Sequence, residues 1–103
     1  MSDETETPLT AIHQLDIPPH VADIIRHLPP DIKQSIKAAL RALSRTPTVG
    51  EPLKKELKGF WKYRVKRFRI VYAVDRTRKV IRIVAIGHRR AIYEEVAERV
   101  QRS

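Results

Sequence analysis

Lys62, Arg64 and Arg69 are the residues of this chain whose types and spacing point most directly to chemistry. They sit within Phe60-Trp-Lys-Tyr-Arg-Val65 and Phe68-Arg-Ile-Val-Tyr-Ala-Val74, two segments that alternate with a period of two, as half-buried strands do. If Lys66-Arg67 form a two-residue turn between them, Val65 faces Phe68 and Arg64 faces Arg69. Trp61, Tyr63, Ile70 and Tyr72 then look into a core, and Lys62, Arg64 and Arg69 share the opposite face. Like charges directly opposite on a sheet repel, so the pattern calls for an anionic ligand; the bland alternative is a solvated basic face. Lys-Arg is not a favoured type I′ dipeptide. A longer loop of the same parity keeps these faces, while a bulge does not.

Gly87-His-Arg-Arg-Ala-Ile-Tyr93 is the second such segment. It follows an apolar strand and opens the last helix, which aims Arg89, Arg90 and Tyr93 toward the same sheet face. Helix N-termini also present free N–H groups to anions. The bland reading of Tyr93 is a packing residue, and of His88 a surface histidine. His13, His20 and His27 lack ligand spacing, so no metal is expected. With only Gly50, Gly59 and Gly87 there is no phosphate-cradling loop, and the four serines form no nucleophile elbow, so no cofactor is expected either.

The charge is concentrated where these segments lie. The 103 residues carry 21 Lys+Arg and 12 Asp+Glu, a formal +9. Residues 1–50 hold five basic and six acidic side chains, whereas 51–103 hold sixteen and six. From Lys54 to Arg90 fourteen bases face only Glu56 and Asp75. Such a block attracts polyanions, RNA or DNA first among them. Lys54, Lys55, Lys58, Lys66, Arg67, His88 and Arg90 are the expected backbone contacts around the central cluster. No apolar run is long enough for a membrane span, and the acidic start resembles no signal peptide. Absence of cysteine fits a reducing cytoplasm.

The elements that must position the cluster follow from periodicity. Residues 1–10 read as a disordered acidic tail and 11–103 as one domain. Ala11–Ile17 reads as a short strand closed by Pro18-Pro19. Val21, Ile24, Ile25 and Leu28 make one helical stripe; Ile32, Ile36, Ala39, Leu40 and Leu43 make a second, after Pro29-Pro30. Val80–Ile86, apolar on nearly both faces, is expected as the central strand, and Ala91–Arg102 as a last helix. The fold class is α+β in the order β-α-α-β-β-β-α: a small antiparallel-rich sheet, an αα-hairpin on one face and a C-terminal helix.

Leu57-Lys-Gly59, Trp61-Lys-Tyr-Arg-Val65, Phe68-Arg-Ile-Val-Tyr72 and Ile86-Gly-His-Arg89 with Tyr93 resemble the RelE/ParE toxin superfamily, over roughly residues 11 to 100. The resemblance, closest to the RelE-like branch, implies a ribosome-dependent endoribonuclease that cuts mRNA in the ribosomal A site. It also implies a cytoplasmic location and a RelB-like antitoxin, acidic or partly disordered. Lys62, Arg64, Arg69, Arg89 and Tyr93 match that branch's catalytic positions. Arg69 and Arg89 would stabilise the transition-state phosphate, Lys62 or His88 would serve as base, and Tyr93 would orient the base or protonate the leaving oxygen. The other reading is a ParE-like inhibitor of DNA gyrase that cleaves nothing.

Overall fold

The computed structural model describes residues 12–102, apart from the side chains of Arg89, Arg90, Arg99, Gln101 and Arg102. The acidic tail proposed for residues 1–10 lies outside the described residues. The elements run β1 (Gln14–Asp16), α1 (Pro19–Arg26), α2 (Pro30–Arg45), β2 (Glu51–Pro52), β3 (Phe60–Val65), β4 (Phe68–Asp75), β5 (Val80–His88) and α3 (Arg89–Arg102). Prolines set the helix starts: Pro19 and Pro30 each occupy a first-turn position, where the missing N–H costs nothing. α2 ends at Thr46, the residue before Pro47, where helical backbone is disfavoured.

The five strands lie in the order β1-β5-β4-β3-β2, parallel between β1 and β5 and antiparallel elsewhere. This is the expected α+β architecture with one correction. The central strand is β4, not Val80–Ile86. β5 is apolar on both faces because helices cover both, with only the three-residue β1 beyond it. β2 escaped sequence reading altogether, being two residues long and half proline.

The sheet separates two cores. Val21, Ile25, Ile36, Leu40 and Leu43 of the αα-hairpin pack on Val65, Ile70, Tyr72, Ile81, Ile83 and Ile86. On the other face Ile92 and Val96 of α3 pack on Val71 and Ala85, with Leu53, Leu57, Phe60 and Tyr93 around them. Each fully buried aliphatic side chain contributes about 1.5–3 kcal/mol, so α1 and α2 hold the sheet more firmly than α3 does.

A bulge joins these faces. Val71 pairs with Ala85 and Tyr72 with Ile83, which leaves Val84 as the extra residue of β5. Beyond it the alternation inverts: Ile86 joins the αα-hairpin core, and Gly87 lies against α3, where an added β-carbon would sit 3.1 Å from Ile92 Cδ1. Glycine at 87 therefore lets α3 lie close on β5.

Candidate functional site

The β3–β4 hairpin has the register its alternation requires. Val65 pairs with Phe68 and Arg64 with Arg69 across Lys66-Arg67. Lys66 alone of the two takes a positive φ, 54°, the sign pattern of a II′ rather than a I′ turn, which accommodates a dipeptide unsuited to I′. Lys62, Arg64 and Arg69 consequently share the α3 side of the sheet. The two arginines face each other directly, and both reach the Lys66 carbonyl, Arg64 Nε at 3.4 Å and Arg69 Nη1 at 3.5 Å. Arg69 Nη1 also donates to the Phe68 carbonyl at 3.1 Å. Backbone carbonyl dipoles thus partly offset the like-charge repulsion.

Lys62, Tyr63, Arg64 and Arg69 line a pocket of about 360 Å³ with Val49, Gly50 and Glu51. Lys62 Nζ lies 3.5 Å from Glu51 Oε1 and 5.8 Å from the centroid of the Tyr93 ring, within cation–π range. The crowding of Lys62 by arginines is therefore only half of its surroundings: a carboxylate stands on its other side. Glu51 and Val49 are members of the site that the alternation argument missed. Neither belongs to a strand legible in the sequence, and the available signal was the loop glycine, Gly50, beside a basic strand.

Tyr72 fixes that loop from below. Its hydroxyl, fully buried, donates to the Pro47 carbonyl at 2.7 Å and accepts the Gly50 N–H at 3.2 Å. Burial pushes the phenol up to about 12, with the Gly50 N–H drawing it back and Tyr63 adding a smaller push upward. A β-carbon on Gly50 would collide with the Lys62 carbonyl and the Tyr72 hydroxyl, so only glycine lets the loop lie this close.

The remaining candidates divide. Tyr93, on the first turns of α3, is half-buried beside Lys62. The helix carrying Arg89 and Arg90 starts at the end of β5, on the strand next to Arg69; their side chains lie outside those described. His88 is turned away. The bulge places it opposite Phe68, on the αα-hairpin side, with ring centroids 4.6 Å apart. Lys54, Lys55 and Lys58 are exposed on the segment between β2 and β3, which Leu53 and Leu57 anchor to the α3 core, and none lines the pocket. Lys66 and Arg67 are exposed at the hairpin tip.

A larger depression of about 880 Å³ lies at the other end of the sheet, where Asp16, Asp75, Arg76, Arg78 and Arg82 mix both signs of charge. Asp16 and Arg82 approach to 3.6 Å there, and no aromatic side chain lines it. Among the described residues no group of three or more His, Cys, Asp or Glu gathers to hold a metal.

Comparison with known proteins agrees with this fold. The family model described as "ParE toxin of type II toxin-antitoxin system, parDE" matches residues 20–93. Toxin RelG of Mycobacterium tuberculosis is 35% identical over 71 residues, 67% of this chain and 82% of that protein. The M. tuberculosis toxin–antitoxin complex RelBE2 contains a chain similar at a TM-score of 0.69 and 27% identity, over 77% of this chain and 93% of the other. A free mutant form of the Escherichia coli toxin RelE, 20% identical, shares the fold at a TM-score of 0.71 over 85% of this chain and 97% of its own. The chain belongs to the ParE toxin family of type II toxin–antitoxin systems, within the RelE/ParE superfamily.

Proposed function

We propose that this toxin is an endoribonuclease that cleaves mRNA in the ribosomal A site and so stops translation. The observation that carries the reading is the convergence of Lys62, Arg64 and Arg69 on one open pocket, with the Tyr93 ring 5.8 Å from the Lys62 ammonium. An inhibitor that only docks on a protein has no need of a convergent cationic cluster. In the reaction a ribose 2′-oxygen attacks the adjacent phosphorus and loses its proton. The bond to the 5′-oxygen breaks, and that oxygen takes up a proton, leaving a 2′,3′-cyclic phosphate and a 5′-hydroxyl. Arg69, with Arg64 and Arg89, stabilises the extra charge on the five-coordinate phosphorus. Lys62, with Glu51 Oε1 at 3.5 Å and the Tyr93 ring at 5.8 Å, would take the proton of the 2′-hydroxyl, and Tyr93 would donate one to the leaving 5′-oxygen.

The expected partner is an antitoxin, in keeping with relatives solved as toxin–antitoxin complexes. Its carboxylates would neutralise the cationic face, and an apolar segment would slow release. The site of action would be the cytoplasm, where ribosomes are; among the described residues no helix is long and apolar enough to cross a membrane.

The ParE name of the matching family keeps gyrase inhibition as the second reading. One experiment separates them. The protein is induced without a partner, labelled methionine incorporation is followed, and mRNA 5′ ends are mapped. Lost incorporation with new in-frame 5′ ends supports the ribonuclease. Continued incorporation with broken DNA and an SOS response supports the inhibitor and overturns our reading.

A further inference from the structure

We propose that the tip of the β3–β4 hairpin carries a second phosphate subsite, which holds the backbone phosphate next to the one being cleaved. The proposal rests on the RNA reading above and extends it to the length of strand the protein grips. Arg64, Lys66, Arg67, Arg69 and His88 line a concavity of about 290 Å³ at the end of the sheet. All five are nitrogen bases, and no carboxylate is among them. The reaction pocket differs in this respect, since Glu51 tempers it.

Arg64 and Arg69 line both depressions. The guanidinium pair therefore forms a shared wall, with Lys62 and Glu51 on one side and Lys66, Arg67 and His88 on the other. Two anion seats separated by one wall suit consecutive phosphates of a single strand. The guanidinium fork also has enough donors to address two neighbours at once.

The bulge in β5 supplies the far side of this subsite. It sends His88 out of the reaction pocket and against Phe68, with rings tilted by 34° at 4.6 Å. An exposed ring braced by a second ring beside a phosphate seat is a surface on which the attached base can stack without regard to sequence. His88, Lys66 and Arg67 thus bind strand and take no part in bond breaking.

The test uses binding alone. The probe is a 2′-O-methyl dinucleotide, which has no nucleophile and cannot be cut, carrying one internal phosphate with or without a second at either terminus. For the whole protein, titrated by NMR, one of the terminal phosphates is expected to tighten binding by about fivefold, the upper end for an exposed ion pair. It should also steepen the dependence of log K on log salt by about 0.7, as one added contact on a single strand does. Lys66→Asn with Arg67→Ser, which suits the positive φ at 66, should abolish both increments while the internal phosphate still binds. His88→Gln, outside the turn, should reduce them.

A terminal phosphate that changes nothing in the parent protein overturns the subsite. So does an increment that survives the double substitution. A glutamate-rich peptide that loses affinity in the double variant, with the dinucleotide increments unchanged, would make the tip a protein-docking surface instead. Because the probe is never cleaved, a failed ribonuclease reading leaves this outcome readable. An active ribonuclease without the increment keeps its function and loses the subsite.

Discussion

Glu51 is the direct partner of Lys62 in the β2–β3 ladder, and its carboxylate stands 3.5 Å from the Lys62 ammonium. The Tyr93 ring approaches the same nitrogen from α3. A strand edge and a helix therefore fix where the cation rests. An ion pair this exposed contributes only about 0.2–1 kcal/mol, so its effect falls on position more than on stability. Glu51→Gln is expected to keep the fold and to bind a non-cleavable RNA more tightly, because a negative charge leaves the pocket. Single-turnover cleavage should nevertheless slow by a few-fold. Faster cleavage in step with tighter binding would leave Glu51 a purely repulsive role.

Arg69 faces Arg64 in register, so removing it relieves a like-charge pair. Arg69→Ala should melt no lower than the parent, yet lose on the order of 10²-fold or more in cleavage of ribosome-bound mRNA. Arg69→Lys restores the charge without the planar fork and should recover only part of the rate. Thermal melting and 5′-end mapping check the two halves. Full cleavage by a well-folded Arg69→Ala protein would move the site elsewhere.

How much of this site was legible in the sequence is decided at Val84. Up to that bulge a period of two assigns every face correctly, including the Arg64–Arg69 pairing and the aromatic core face. Past it the same rule would put Ile86 opposite Arg69 and His88 on the face of Arg69, whereas the structure puts Gly87 opposite Arg69 and His88 opposite Phe68. A bulge carries no residue signature strong enough to read from one chain, since any residue can be the extra one. Glu51 was hidden for a different reason. A two-residue strand has no period, and its register comes from a buried hydroxyl twenty-two positions away in sequence from Gly50.

Gly50 tests that hidden support. Its φ of −79° is open to any residue, so the constraint is space rather than backbone freedom. In Gly50→Ala the new methyl meets the Lys62 carbonyl and the Tyr72 hydroxyl, neither of which can swing aside. The expected cost is about 1–3 kcal/mol, typical of overpacking. Glu51 should part from Lys62 as the loop lifts, so cleavage should fall by at least as much as in Glu51→Gln. A variant of parental stability would mean that the loop moves freely.

Tyr72 makes stability depend on alkaline pH. Its phenol titrates near 10.0 when exposed and near 12 in the folded protein. The folded state therefore holds the proton more tightly. The resulting stabilisation is complete below pH 10 and is lost as pH rises toward 12. A shift of this size corresponds to roughly 3 kcal/mol. Tyr72→Phe should be less stable at pH 7 by about 1–3 kcal/mol, because the Gly50 N–H and the Pro47 carbonyl lose their partner. Its melting temperature should then fall less steeply than the parent's between pH 9.5 and 11.5, the range compared by calorimetry. Parallel curves would show that Tyr72 does not carry the alkaline transition.

α3 opens more readily than α2 while the rest stays folded. Among the described residues Ile92 and Val96 are its fully buried side chains, against four buried residues on α2. Gly87 lets it lie close to β5, but Tyr93 and Val100 are only partly covered. Local unfolding draws on the segments with least burial. Amides of residues 91–100 should therefore exchange with solvent well before those of α2 in the free protein. Val96→Ala, removing about 2 kcal/mol of packing, should speed that exchange about thirtyfold and leave α2 and β4 unchanged. The consequence reaches the site, because Tyr93 travels with α3 and leaves Lys62 when the helix lifts. A ligand that holds α3 open would silence the pocket without covering Arg64 or Arg69. If α3 and α2 exchange together, and Val96→Ala accelerates both equally, the helix is part of the global fold and no such route exists.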